Sequence, residues 1–124
     1  MQEDEVYAAI GEEGFNRLIR TFYSQVPQDE VLGAMYPPDD LQAAEQRLKD
    51  FLIFRFGGPQ RYIEERGHPR LRMRHAPFAV GDEARQHWLQ LMSRALDQAD
   101  FPDEVRRLLW TYFESTAAAM MNRP

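Results

Sequence analysis

Apolar side chains recur every three or four residues in four stretches of the chain, the pattern of α-helices that bury one face. The inward positions of the first two stretches are Phe15, Leu18, Ile19, Phe22 and Val26, then Leu41, Ala44, Leu48, Phe51 and Leu52. Those of the last two are Ala84, Trp88, Leu91, Met92, Ala95 and Leu96, then Val105, Leu108, Leu109, Tyr112, Phe113 and Thr116. No stretch shows the alternation typical of a β-strand. The sequence therefore predicts an all-α protein with four main helices.

Residues that restrict or release the backbone mark the expected ends of these helices. Pro37 and Pro38 form a rigid corner before the second helix, because each proline fixes its own φ and restricts the residue before it. The expected boundaries are a stop at Pro27, a cap at Asp39 or Asp40, a stop at Gly57, a cap at Asp82 and a start near Pro102.

The segment from Gly57 to Phe78 has little regular apolar periodicity. A compact domain rarely keeps so long an irregular stretch without a functional reason. A large rigid ligand beneath this segment would supply the core that the protein side chains do not.

Composition limits the possible classes of protein. The chain has 124 residues, which suits one domain over residues 1–124 with room for an internal cavity. It has no cysteine, so no thiolate can act as a nucleophile or bind zinc or an iron–sulfur cluster. The acidic start without an apolar leader, and the lack of about 20 consecutive apolar residues, predict a cytoplasmic protein that does not enter a membrane. The net charge of −5 disfavours general nucleic-acid binding.

The most unusual stretch is RGHPRLRMRHAPF at residues 66–78. Its first ten residues contain four arginines and no acidic residue, so subtracting their charge from the net −5 leaves −9 on the rest of the chain. A local positive field of this strength favours an anionic cofactor or a polyanion. Arginines of a solvated loop are the alternative that the segment by itself leaves open.

Three histidines are candidate metal ligands, and their spacing matches no zinc motif. His75 lies near apolar side chains and next to Arg74, which suits either a metal ligand or a hydrogen-bonded core histidine. His68 precedes a proline in a polar loop and is interpreted as a loop anchor. His87 is expected on the surface of the third long helix.

Tyrosine and tryptophan side chains are frequent at the predicted inward positions. Tyr23, Tyr36, Trp88 and Tyr112 all carry a polar group that needs a partner when buried. If these groups converge on one cavity, they form a set of hydrogen-bond donors for a polar diatomic molecule or an oxyanion. In the alternative, each group reaches water or a backbone carbonyl separately. No GxSxG motif or glycine-rich phosphate loop indicates other chemistry.

Eight motifs occur in order along nearly the full chain. They are Phe22-Tyr23, Tyr36-Pro37, Asp39-Asp40-Leu41, Ala44-Glu45, Arg47-Leu48, Gly57-Gly58-Pro59, GHPRLRMRHAPF at residues 67–78, and Trp88-Leu89. Together they resemble the group II truncated haemoglobins, and the GHPRLRMRHAPF run is the most specific of them. The resemblance implies an all-α, globin-like two-on-two helical sandwich around haem b, with His75 as the proximal iron ligand.

The resemblance also implies roles for individual side chains. The distal ligand-binding residues would be Tyr23, Tyr36, Ala44, Leu48 and Trp88. Ala44 stands where longer globins usually have a distal histidine, so tyrosine and tryptophan would stabilise bound dioxygen instead. The cofactor contacts would be Arg47, Phe51, Tyr62, Leu71, Arg74 and Phe78. Among these, Arg47, Tyr62 and Arg74 resemble anchors for the haem propionates.

Two positions depart from the pattern of the family. The first glycine motif reads Gly11-Glu12-Glu13-Gly14 in place of a pair of adjacent glycines, and Phe56 stands where an indole is common. Both changes concern local loop geometry and stability more than iron binding.

The resemblance leaves two functional hypotheses. The first is a protein that reversibly binds dioxygen, with carbon monoxide, nitric oxide, peroxide and sulfide as further candidate ligands. The second is an enzyme with peroxidase-like or nitric-oxide-oxidising activity, which would depend on a reductase partner. A third, minor hypothesis is a haem-free module whose arginines bind an acidic partner. The chain is expected to be a monomer or a homodimer.

Overall fold

The computed structural model describes residues 1–60, 64 and 80–122, which form helices joined by turns and no β-strand. The described helices, numbered in chain order, are α1 (Val6–Gln25), α2 (Leu32–Met35), α3 (Leu41–Arg55), α4 (Asp82–Ala99) and α5 (Asp103–Ala119). Single turns of 3-10 helix occur at Glu3–Glu5, Val26–Gln28 and Pro38–Asp40. The four predicted helices are therefore confirmed, whereas α2 and the 3-10 turns were not expected from the sequence.

The core is built around α1. This helix packs against α3 and α4, and α4 packs in turn against α5. The predicted stripe of α1 is buried as expected, and Phe15, Leu18 and Phe22 are fully inaccessible to solvent. Among the described helices, none combines the length and apolar character needed to cross a membrane.

The expected helix caps are only partly correct. Asp40 does occupy the position before α3, but its carboxylate makes no capping hydrogen bond and instead accepts one from Arg47. The predicted cap at Asp82 is wrong by one residue, since Gly81 is the cap and Asp82 begins α4. The Asp82 carboxylate accepts hydrogen bonds from the side chains of Arg85 and Gln86, three and four residues further along α4.

The departure at the first glycine motif has a local structural consequence. α1 turns sharply at Gly11, where φ is 66° and ψ is −178°. This combination is almost restricted to glycine, because a Cβ atom would clash with the backbone. The five residues before Gly11, which precede the predicted apolar stripe, form the first turns of α1.

A second glycine fixes how the amino terminus packs. Gly57 has a φ of 95°, and a Cβ atom added there would lie 1.9 Å from the carbonyl oxygen of Asp4. Next to it, the Phe56 carbonyl accepts a hydrogen bond from the Tyr7 N–H at 3.0 Å. The predicted end of the second helix at Gly57 is therefore correct. The backbone at this point also packs closely against Asp4 and Tyr7 near the amino terminus.

We expect Gly57→Ala to destabilise the protein more than Gly11→Ala, measured as the free energy of unfolding in a denaturant titration. Both substitutions place a side chain at positive φ, at a cost of about 1–3 kcal/mol. At Gly11 the added Cβ has open space around it, whereas at Gly57 it overlaps Asp4. The overlap should add at least about 1 kcal/mol. Equal losses would show that only the backbone conformation matters at Gly57.

Candidate functional site

A cavity of about 550 Å³ lies between the corner around α2 and the helices α1, α3, α4 and α5. Seven of the predicted site residues belong to the described part of the chain, and all seven line this cavity. They are Tyr23, Tyr36, Ala44, Arg47, Leu48, Phe51 and Trp88. The structure thus brings together side chains from four elements that are distant in sequence.

Aromatic rings form one end of the cavity. The Tyr23 and Tyr36 rings are 5.6 Å apart and meet edge to face at 88°. The Trp88 ring lies 5.2 Å from that of Phe22 and 5.5 Å from that of Phe113. Edge-to-face and tilted contacts of this kind restrict the orientation of each ring. The polar groups of Tyr23, Tyr36 and Trp88 are therefore held on rigid supports.

The two tyrosine hydroxyls stay neutral at physiological pH. Burial raises the pKa of Tyr36, and hydrogen bonds with Tyr23 and Trp88 partly oppose this effect. Burial also raises the pKa of Tyr23 well above its ordinary value, and the charge and hydrogen bond of Tyr36 raise it further.

The second hydrogen-bond partner of Tyr36 is the indole of Trp88. An indole N–H can only donate, so in its hydrogen bond with Trp88 the Tyr36 hydroxyl is the acceptor. Both Tyr36 and Trp88 line the cavity. Tyr23, Tyr36, Trp88 and Tyr112, the four aromatic side chains with a polar group at predicted inward positions, all line this cavity.

The wall opposite the polar groups is apolar. Ala44 and Phe51 are 6% and 7% exposed, and Leu48 is partly buried beside them. These three side chains lie on one face of α3, as their spacing predicts. Ala44 contributes only a methyl group, so this part of the wall offers no hydrogen bond from a side chain.

Arg47 lies at the rim of the cavity and is already paired. One of its terminal nitrogens is 2.8 Å from a carboxylate oxygen of Asp40, and both residues line the cavity. The two side chains are 40% and 48% exposed. An ion pair with this exposure is weak and exchanges readily with other partners.

Several lining residues were not identified as site residues from the sequence. Leu32 and Met35 belong to the unexpected helix α2, and Val80, Ala117 and Met120 lie near the ends of α4 and α5. Met120 follows Thr116 by one helical turn, so extending the predicted inward stripe of α5 would have found it. No comparable signal existed for Val80.

Val80 is held by the end of the chain. Its N–H donates to the Asn122 side-chain oxygen at 2.8 Å, and the Asn122 N–H donates to the Val80 carbonyl at 2.7 Å. This Val80–Asn122 clamp joins the residues just before α4 to the residues just after α5. It fixes the ends of two cavity walls relative to each other.

Five other predicted site residues, His75, Tyr62, Leu71, Arg74 and Phe78, lie outside the described residues, as does His68. Their roles stay predictions. His87 is described, and it is not the exposed residue that the sequence suggested. Its side chain is 23% exposed, and its Nδ1 atom lies 2.9 Å from the Asp29 carboxylate.

Comparison with known proteins shows the same similarity over almost the whole chain. A family model for bacterial-like globins matches residues 5–122. A group 2 truncated haemoglobin of Bacillus subtilis is 40% identical over 117 residues, which cover 94% of this chain and 88% of that protein.

Two solved structures show how far the similarity extends in three dimensions. A thermostable haemoglobin from Thermobifida fusca matches with a TM-score of 0.92 and 49% identity, over 96% of this chain and 98% of that one. A truncated oxygen-avid haemoglobin from Bacillus subtilis matches with a TM-score of 0.89 and 40% identity, over 94% of this chain and 98% of that one.

Proposed function

Because the chain belongs to the bacterial-like globin family, with an all-α globin fold and haem b as its cofactor, we propose that it binds dioxygen reversibly and retains it through the Tyr36–Trp88–Tyr23 cluster. The observation that carries this proposal is the convergence of these three polar side chains on one cavity. The relative from Bacillus subtilis that is described as oxygen-avid supports it.

The described residues fit haem. The cavity has the volume of a small-molecule site, and its apolar side chains, among them Leu48 and Phe51, suit the faces of a flat macrocycle. Arg47 at the rim suits a carboxylate group at the edge of that macrocycle. We assign the propionates to Arg47, Tyr62 and Arg74, and further apolar contacts to Leu71 and Phe78.

His75 is proposed as the axial ligand, in agreement with the use of a proximal histidine by globins. When bound, haem supplies an iron with a coordination position for a diatomic ligand. The protein then has to accommodate the ligand, exclude bulk water and provide hydrogen bonds on the side opposite His75. Ala44 and Leu48 leave room for the ligand, and the aromatic cluster provides the donors.

The three polar side chains are proposed to act as one unit. In this proposal Tyr23 and Trp88 donate to the Tyr36 hydroxyl and Tyr36 donates its own hydrogen to the ligand; the hydrogen-bond effects of Tyr23 and Trp88 on the pKa of Tyr36 support it. Hydrogen bonds in such a chain polarise and strengthen one another. A polar ligand that carries partial negative charge, such as dioxygen, gains more from this donor than carbon monoxide does.

Stopped-flow kinetics on the purified haem protein test the proposal. Slow dioxygen dissociation together with little turnover of peroxide or nitric oxide is the expected result. Fast dissociation combined with rapid turnover would instead support the enzyme hypothesis and a role for a reductase. A preparation that takes up no haem when haem is abundant would contradict both.

Asp40 offers a test of the proposed propionate anchor. Since Asp40 already pairs with Arg47, we expect Asp40→Asn to free the guanidinium for a propionate and to slow haem dissociation. An exposed ion pair is worth up to about 1 kcal/mol, so the slowing should reach at most about fivefold and should fade in high salt. The measurement is haem transfer to an excess of an apoprotein acceptor.

Asp39→Asn is the matched control for this experiment, because it removes the same charge from the neighbouring exposed residue. It should leave the rate of haem dissociation nearly unchanged. Faster haem loss from Asp40→Asn would show that Asp40 holds Arg47 in place for the propionate and does not compete with it.

A further inference from the structure

Asp29 lies in the corner between α1 and α2 and joins two parts of the cavity wall. Its Oδ1 atom accepts hydrogen bonds from the N–H groups of Val31 at 3.0 Å and Leu32 at 2.8 Å. Its Oδ2 atom is 2.9 Å from Nδ1 of His87, which is 58 residues away in sequence. One carboxylate therefore fastens the first turn of α2 to helix α4.

Each side of this link carries one of the polar groups that meet in the cavity. α2 has only four residues, and the N–H of Tyr36 donates to the Leu32 carbonyl at 3.1 Å. The backbone that Asp29 holds at Leu32 is thus one hydrogen-bonded turn away from Tyr36. On the other side, His87 directly precedes Trp88 in α4. A shift of the Asp29–His87 contact would change the distance between Tyr36 and Trp88.

The link is partly buried and electrostatically favourable. The Asp29 side chain is 11% exposed and the His87 side chain 23%. The hydrogen bond with Asp29 raises the pKa of His87, burial opposes this, and the charges of Asp29, Glu83 and Glu30 raise it further. Burial raises the pKa of Asp29, but hydrogen bonds from Leu32, His87 and Val31 outweigh it, so that the pKa is lowered.

The directions of these two pKa shifts define the pH range in which the Asp29–His87 hydrogen bond is strongest. Between the lowered pKa of Asp29 and the raised pKa of His87, both groups are charged and the hydrogen bond is charge-assisted. As the pH rises above about 6.5 and passes the raised pKa, His87 becomes neutral. A hydrogen bond between a neutral donor and a carboxylate is weaker than one between two charged groups. The link therefore loosens as the pH rises through the raised pKa of His87.

We propose that Asp29 and His87 form a positioning pair that sets the separation of Tyr36 and Trp88 in the ligand cavity and makes ligand retention depend on pH. The proposal rests on the proposed function, because retention is attributed to the same cluster. Neither residue of the pair lines the cavity. The pair acts through Tyr36 and Trp88 and does not touch the ligand.

The test compares wild type, His87→Gln and Glu83→Gln as ferrous haem proteins between pH 5.5 and 9. One measurement is the rate of dioxygen dissociation. The other is the NMR shift of the Trp88 indole N–H in the carbon monoxide complex, where only Trp88 and Trp110 contribute indole signals. The pKa of His87 is measured from its ring signals in the same complex.

In wild type we expect dissociation to accelerate about twofold to fivefold with rising pH, since the link changes from charge-assisted to neutral. The Trp88 signal should move with the same midpoint, equal to the measured pKa of His87. His87→Gln keeps a neutral donor that does not titrate, so both profiles should become flat. Glu83→Gln removes a charge that acts on His87, and should keep the amplitude but move the midpoint to lower pH.

A pH response that persists unchanged in His87→Gln would overturn the proposal, as would a midpoint that differs from the pKa of His87. The indole signal separates this outcome from a failure of the proposed function. If wild type does not retain dioxygen but its Trp88 signal still follows His87, the positioning pair stands and the function fails. If dioxygen is retained and the signal ignores His87, the function stands and the pair does not.

Discussion

His75→Ala is expected to abolish stable haem binding, because it removes the side chain assigned as the axial ligand of the iron. Changes to residues that only support a metal ligand already cost about 10- to 100-fold in affinity, so loss of the ligand itself should exceed about a hundredfold. The measurements are the haem-to-protein ratio after purification and the rate of haem transfer to an apoprotein acceptor.

The alanine leaves space for a free imidazole, which offers a rescue experiment. Added imidazole should restore a spectrum like that of wild type if the missing group is the iron ligand. The matched controls are His68→Ala and His87→Ala, which should keep full haem occupancy at neutral pH. A His75→Ala protein with full haem content and an unchanged spectrum would rule out the assignment of His75.

Trp88→Phe is expected to speed dioxygen dissociation by about tenfold to a hundredfold. The substitution keeps an aromatic ring against Phe22 and Phe113 but removes the indole N–H. If the indole donates to bound dioxygen itself, the hydrogen bond to this charged group contributes about 1.5–3 kcal/mol, and each 1.4 kcal/mol changes an equilibrium constant tenfold. If the indole acts only through the Tyr36 hydroxyl, the effect should lie at the lower end of this range. Carbon monoxide is less polar when bound, so its dissociation should change less. An oxygen dissociation rate within about twofold of wild type would reduce Trp88 to a packing role.

The hydrogen bond between Trp88 and Tyr36 makes the double variant informative. If Trp88 acts by polarising the Tyr36 hydroxyl, then Trp88→Phe should have little further effect once Tyr36→Phe is present. If the two side chains each donate to the ligand independently, their effects on the dissociation rate should add. Comparing the two single variants with the double variant measures this coupling directly.

The sequence was most informative where one periodic pattern decides burial. The stripe from Phe15 to Val26 and the inward face of α4 could be read directly from their spacing. Those stripes also placed Tyr23 and Trp88 toward the interior. For the same reason, the apolar side of the cavity on α3 could be predicted at Ala44, Leu48 and Phe51.

The corners of the chain could not be predicted in the same way. α2 is too short to show a helical period, and its first turn is held by Asp29, whose other partner is His87 on α4. Contacts between residues so far apart in sequence leave no local signal. The wrong cap at Asp82 has a related cause, because a nearby arginine and glutamine compete for a carboxylate that could have capped the helix.

Short motifs predicted which residues belong to the site, but not which groups they contact. Tyr36 and Arg47 follow from the resemblance of short motifs, and the structure places both at the cavity. What it adds is their partners: the Tyr36 ring meets that of Tyr23 edge to face, and Arg47 is paired with Asp40. Motifs identify residue types in order along the chain, but they do not state which group each donor faces.

The Val80–Asn122 clamp limits how the cavity walls on α4 and α5 can move. α4 and α5 are joined by the short turn after Ala99 at one end and by the clamp at the other, so they form a hairpin that is fastened at both ends. Neither helix can swing away from the other without breaking hydrogen bonds, so the two are expected to open together as one cooperative unit. Trp88 on α4 and Phe113 on α5, which both line the cavity, therefore keep their mutual contact during such a motion.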